Sequence, residues 1–132
     1  MKDRTALVTG ASSGIGAVYA DRLARRGHDL VLVARDRAKL EALAGRLRDE
    51  HGVAAEALPA DLTDTADRGR VEARLREDRR IGVLINNAGS TVPGGFGNPD
   101  PDALERIIRL NVTAVTRLAA AVAPRLAQEG SG

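Results

Sequence analysis

Four short apolar runs, separated by longer stretches with helical patterning, restrict this chain more than any other feature of its sequence. Thr5-Ala6-Leu7-Val8-Thr9 and Leu30-Val31-Leu32-Val33-Ala34 are apolar or β-branched on both faces. Val53 to Leu58 is a weaker third run with Pro59 at its exit, and Val83-Leu84-Ile85 is the fourth. From Ile15 to Arg26, the residues Ile15, Val18, Tyr19, Leu23 and the stem of Arg22 fall at helical spacing, and Gly27 closes the pattern. That spacing turns them toward a core, with Tyr19 packing beside the sheet. Asp36 is a candidate N-cap for a helix with Leu40, Leu43 and Leu47 on one face. Asp64 to Arg79 is charged and helical despite Gly69, and Asp102 to about Gln128 is the longest helix, after a Gly/Pro-rich loop. Strands apolar on both sides need cover on both sides, which a parallel sheet with flanking helices provides. Right-handed crossovers then lead to an α/β, Rossmann-like doubly wound sheet, here partial, with about four strands and four helices in one domain over residues 1–132.

Composition narrows the chemistry. The apolar fraction of 43% and charged fraction of 29% are those of a soluble globule. Without cysteine there is no disulfide, thiolate zinc site or cysteine nucleophile, and no metal centre is expected. Each histidine adjoins a glycine, in Gly27-His28 and His51-Gly52, and both pairs read as helix C-caps. The net charge is only +2, and arginines alternate with acids, as in the run from Arg68 to Arg74, which reads as a solvated helix face. With one Phe, one Tyr and no Trp there is little platform for base stacking, so no nucleic-acid partner is expected. The Met-Lys-Asp-Arg start has no signal character, and no run approaches the roughly 20 apolar residues of a membrane span. The expected location is the cytoplasm, away from the membrane.

The strongest local signal is Thr9-Gly10-Ala11-Ser12-Ser13-Gly14-Ile15-Gly16, between the first strand and the first helix. Gly10 permits a sharp turn off the strand, Gly14 lets backbone approach a pyrophosphate, and Gly16 lets the helix pack close to the sheet. The free N–H groups and positive dipole end of the helix would then face the anion. This strand-turn-helix context points to dinucleotide binding.

The octet resembles the signature of the short-chain dehydrogenase/reductase family. The resemblance continues through Asp61-Leu62 after the third strand, Asn86-Asn87-Ala88-Gly89 after the fourth, and Asn111 within Leu110-Asn111-Val112. It implies a nicotinamide-dependent oxidoreductase that moves hydride between the cofactor and a small-molecule carbonyl or alcohol. By the same resemblance Gly10, Ser12, Ser13, Gly14, Ile15 and Gly16 hold the cofactor's phosphates. Asp61 and Leu62 contact the adenine, and Asn87, Ala88 and Gly89 lie along the ribose and central part. Asn86 is expected to steady the sheet with Thr9. Asn111 is expected to help order a water in a proton relay, although a satisfied core asparagine is the plain alternative. The family's long helix also suggests a homo-oligomer through residues 102–128.

At the end of the second strand an acidic residue would bind the ribose of NAD, whereas an arginine accommodates the 2′-phosphate of NADP. Arg35 is placed to fork onto that phosphate, which makes NADP the expected cofactor. The alternative gives Asp36 to the ribose of NAD. The family's catalytic Tyr and Lys lie four residues apart on a later helix. Here the only tyrosine is Tyr19 and the only lysines are Lys2 and Lys39. The chain is therefore expected to be the cofactor-binding part of an enzyme and inactive alone. The alternative is a non-catalytic nucleotide-binding or assembly module.

Overall fold

β1 (Thr5–Thr9) and β2 (Leu30–Ala34) form as their patterns require, and their alternating side chains feed two cores. The computed structural model describes residues 4–92 and 94–132. β3 (Ala55–Pro59) and β4 (Ile81–Ile85) complete a parallel sheet of order β3-β2-β1-β4. Ala6 and Val8 of β1 face one side, with Ala20, Leu23 and Ala24 of α1 (Gly14–Arg25) and Leu40, Leu43 and Leu47 of α2 (Arg37–His51). Leu7 faces the other, with Val71 and Leu75 of α3 (Thr65–Glu77) and Leu118 and Val122 of α5 (Val115–Glu129). Helices thus cover both faces, as expected. The chain runs outward from β1 to β3 and returns to β4 on the other side of β1. A crevice opens at the carboxyl ends of β1 and β4, where the strand order reverses.

The helix boundaries follow local chemistry. Asp36 caps α2 by accepting the Lys39 amide N–H at 3.1 Å, and Asp64 caps α3 by accepting that of Asp67 at 2.8 Å. His51 ends α2, and Gly52 follows in the left-handed region with φ 67°. The His51 ring then meets Asp21 of α1, with Nε2 3.1 Å from Oδ1. This contact, helped by Arg25 and Arg46, holds the Asp21 carboxyl below its ordinary range.

Three expectations needed correction. The apolar residues assigned to the inner face of α1 lie outward: Ile15, Val18 and Tyr19 are 69%, 51% and 46% exposed. The buried face is Gly16, Ala20, Leu23 and Ala24, because α1 approaches the sheet too closely for larger side chains near its start. The run Arg68–Arg74 is not a uniformly solvated face either. Arg68 and Glu72 are buried beneath α5, and Glu72 is paired with Arg117 at 2.7 Å. The third concerns the last helical run, α4 (Pro101–Ile108), which passes through a π-helical segment at Arg109–Ala114 into α5. The extra residue per turn shifts the helix phase, so Ala114, Leu118 and Val122 face the core while Ile108 and Ala119 stay exposed.

By length and mean hydropathy alone, the combined helix Pro101–Glu129 is long and apolar enough to cross a membrane, contrary to the sequence expectation. In the fold its second part, α5, packs into the second core through Leu118 and Val122. Arg125 donates to the carbonyls of Leu75, Asp78 and Ile81, which ties the helix to α3 and to the start of β4.

Candidate functional site: a glycine-walled cleft at the sheet's switch point

The turn after β1 is shaped by backbone demands that glycine meets. Gly10 adopts φ 63° and Gly14 φ 54°, conformations that cost a side-chain-bearing residue strain. A Cβ on Gly16 would collide with the Gly10 carbonyl and approach Asn87 Nδ2 to 2.6 Å. Space, not only conformation, therefore demands glycine at residue 16. Gly14 meets nothing within 4 Å, which leaves the outer side of the turn open. Ser13 occupies the N-cap position of α1, yet its side chain makes no capping bond, and the first turn has no acidic residue. The free N–H groups at this helix start suit an anion.

The segment after β4 is wired to this turn. Thr9 Oγ1 accepts the backbone N–H groups of Asn87 at 3.0 Å and Ala88 at 2.9 Å, and donates to the Ile85 carbonyl at 3.4 Å. Asn87 Nδ2 donates to the carbonyls of Thr9 and Gly10, each at 3.3 Å. Thr9 thus engages Asn87 and Ala88, not Asn86 as the resemblance implied. Asn86 Nδ2 instead donates to the Val115 carbonyl at 2.9 Å, fixing the helix just past its π segment. Asn111 lies within that segment and holds Ser90 in both directions. Its Oδ1 accepts the Ser90 N–H at 2.9 Å, and its Nδ2 donates to the Ser90 carbonyl at 2.8 Å. Both partners of the Asn111 amide are therefore backbone groups of the loop.

A cleft of about 1000 Å³ runs from the glycine turn across the ends of β2 and β3 to the Asn87–Ser90 segment and α4. Gly10, Ser12, Ser13, Ile15, Arg35, Asp61, Leu62, Asn87, Ala88 and Gly89 all line it. Gly14, Gly16 and Asn111 do not. Gly16 lies beneath the wall, Gly14 on the turn's outer side, and Asn111 behind Ser90. Asp61 is fixed by its own turn, where Oδ1 accepts the Thr63 N–H at 2.9 Å and hydroxyl at 2.7 Å. The Leu62 side chain belongs to the second core.

Sequence reasoning missed two cations at this cleft. Lys39 stands one helical turn beyond Arg35, and Arg106 reaches the opposite wall from α4. The signal for Lys39 was its spacing of four from Arg35 across the α2 cap. Asp36 lines this end of the cleft too and one of its oxygens caps α2, so Arg35 and Lys39 set two cations against one carboxylate there.

Comparison with known proteins agrees with this architecture. A family model described as short chain dehydrogenase matches residues 4–132. The chain is 36% identical over 132 residues to a very-long-chain 3-oxoacyl-CoA reductase from Anas platyrhynchos, covering 96% of this chain and 42% of that protein. It is 67% identical, with TM-score 0.96, to a short-chain dehydrogenase from Sphingobium yanoikuyae solved with NADPH, covering 98% of this chain and 50% of that one. A bulky-bulky ketone specific alcohol dehydrogenase from Comamonas testosteroni matches at 56% identity and TM-score 0.97, covering all of this chain (100%) and 53% of that one. The chain thus spans about half or less of the length of each. On the match over residues 4–132 and the sheet it describes, the chain belongs to the short-chain dehydrogenase family.

Proposed function

We propose that this chain holds NADP(H) in the cleft and forms the cofactor-binding part of an enzyme that interconverts a carbonyl compound and an alcohol. In this reading the α1 N-terminus, with Gly10, Gly14, Ile15 and Gly16 around it, receives the pyrophosphate, and Ser12 and Ser13 add hydroxyl donors to the 2′-phosphate. Asp61 and Leu62 bound the adenine, and Asn87, Ala88 and Gly89 bound the ribose and the cofactor's centre. When bound, the nicotinamide donates or accepts the hydride. The observation that carries the choice of NADP is at the end of β2. Asp36 Oδ1 accepts the Lys39 N–H, so the acid that would prefer a ribose hydroxyl serves as a cap, while Arg35 and Lys39 remain to meet a phosphate.

The residues around the cleft bind and orient, but none is placed to deliver a proton to a developing alkoxide. Tyr19 is on α1 and outside the cleft lining, Lys39 is at the β2 end, and Lys2 lies outside the described residues. Proton delivery in this reading comes from a segment other than residues 1–132, and the chain alone does not turn over. Asn111 positions the Ser90 loop beside that missing group, and its part in a proton relay belongs to the same proposal. The protein acts in the cytoplasm on small molecules. Several of its arginines, among them Arg46, Arg74 and Arg117, are engaged in ion pairs, and arginines alternate with acids along α3, which disfavours nucleic acid.

The test is binding of NADPH and NADH by wild type, Arg35→Ala and Lys39→Ala. Each substitution should weaken NADPH about tenfold or more, a charge-assisted bond to phosphate being lost, and leave NADH nearly unchanged. Equal losses for both cofactors would refute the assignment of the 2′-phosphate to these residues.

A further inference from the structure

The end of the cleft assigned to the adenine lacks the kind of side chain on which a base most readily stacks. Among the described residues no Phe, Tyr or Trp lines the cleft. The turn after β3 bounds this end with Ala60, Asp61, Leu62 and Thr63. Asp61 Oδ1 is engaged by Thr63, and Leu62 belongs to the second core. The facing wall comes from α4, which Pro101 opens and Asp100 caps by accepting the Asp102 N–H at 3.0 Å. Ala103, Arg106, Ile107 and Leu110 recur at helical spacing, so one stripe of the helix faces the cleft. The three apolar members of the stripe are half-buried. Arg106 is exposed, and among the described residues it enters no ion pair, whereas Arg109 is held by Glu105 at 2.7 Å. Arg106 is also set apart from the other cations of the cleft. Arg35 and Lys39 stand around the start of α2, which covers one face of the sheet, while α4 runs on into α5 on the other. A planar, delocalised guanidinium lies flat on a ring face and contributes there as a cation–π contact.

We propose that Arg106 stacks its guanidinium on the adenine ring and is a base-binding residue, not a third phosphate ligand. The inference rests on the reading of the cleft as an NADP(H) site. It is tested by calorimetric titration of wild type, Arg106→Ala, Arg106→Lys and Arg106→Tyr with NADPH and with NADH. Arg106→Ala should weaken both cofactors by the same factor, about threefold to tenfold, because both carry the adenine. Arg106→Tyr restores a flat face without charge and should recover most of the loss. Arg106→Lys restores charge without the face and should recover less. The melting temperature of the free chain should be the same in all four, since Arg106 is exposed and holds no partner among the described residues. A loss confined to NADPH, or recovery by Lys but not by Tyr, would make Arg106 a phosphate ligand and overturn the proposal. Unchanged affinities in Arg106→Ala would overturn it too, while leaving the cofactor assignment intact. Wild type that binds neither cofactor would refute that assignment itself, and the stacking with it.

Discussion

At the scale of single residues, Gly16 is held tightly by backbone around it. A methyl group there would meet the Gly10 carbonyl and the Asn87 amide together, so neither neighbour can yield without moving the turn or the segment after β4. Gly16→Ala should cost about 1–3 kcal/mol of stability through overpacking and should also weaken NADPH binding. Gly69→Ala is the control, because a Cβ there meets nothing within 4 Å. Denaturant melts of both variants check this, and equal stability would mean that the turn is not held as described. The glycines were legible in the sequence because each answers a backbone requirement. The consequence of Gly16 for the rest of α1 was not. Its close approach selects Ala20 and Ala24 for the inner face and leaves the larger Ile15, Val18 and Tyr19 outside, the reverse of what apolar spacing alone suggests. Lys39 was passed over for a similar reason. The spacing of four from Arg35 was visible, but that Lys39 lines the cleft shows only once α2 is in place.

At the scale of elements, strands were easier to read than helices. β1 and β2 begin and end where their apolar runs do, because both faces are covered and no polar residue competes. β4 starts earlier than its most apolar residues, since Ile81 pairs with Thr5 of β1 and Gly82 is the extra residue at a register shift before Val83. The π segment at Arg109–Ala114 left no periodic signal, as it is a change of phase within a continuous helix. Asn86, read in the sequence as steadying the sheet, and Asn111, read as a site residue, brace it from the sheet side and the loop side. The end of α3 carries a further electrostatic prediction. Arg80 and Arg74 donate to Asp78, and these bonds, led by Arg80, hold its carboxyl well below the usual range despite partial burial. A carboxyl lowered in the folded state adds stability above its unfolded pKa of about 3.9, and that stability is lost as pH falls through the folded value. Thermal melts should therefore show stability falling as pH drops below about 4. Asp78→Asn should be less stable at neutral pH and show a shallower fall. Asp21, Asp67 and Glu129 are lowered too and keep part of the slope. An unchanged acid limb in Asp78→Asn would mean that the Arg80 and Arg74 contacts do not persist in solution.

At the scale of the whole molecule, the cleft gathers at one end of the sheet, while the two edges of the sheet differ in chemistry. The carboxyl ends of β1 and β4 already carry a cleft bounded by the glycine turn, two cations at the end of β2 and a loop held by Thr9 and Asn111. The β4 edge carries no charge or proline, whereas β3 ends on Pro59 and has Glu56 paired with Arg74. The sequence already indicated the cleft, in the four family motifs, and its want of a proton donor, in the lack of a Tyr and Lys four residues apart. Which strands form the two edges became visible only with the sheet order. The central claim is that the cleft takes NADP(H) through the chain's own residues. It is tested most directly by calorimetric titration of the purified chain with NADPH and with NADH. The account predicts one NADPH per chain, bound at least about tenfold more tightly than NADH, the difference lying in the 2′-phosphate. No NADPH binding by the folded chain, or equal affinity for the two cofactors, would contradict it.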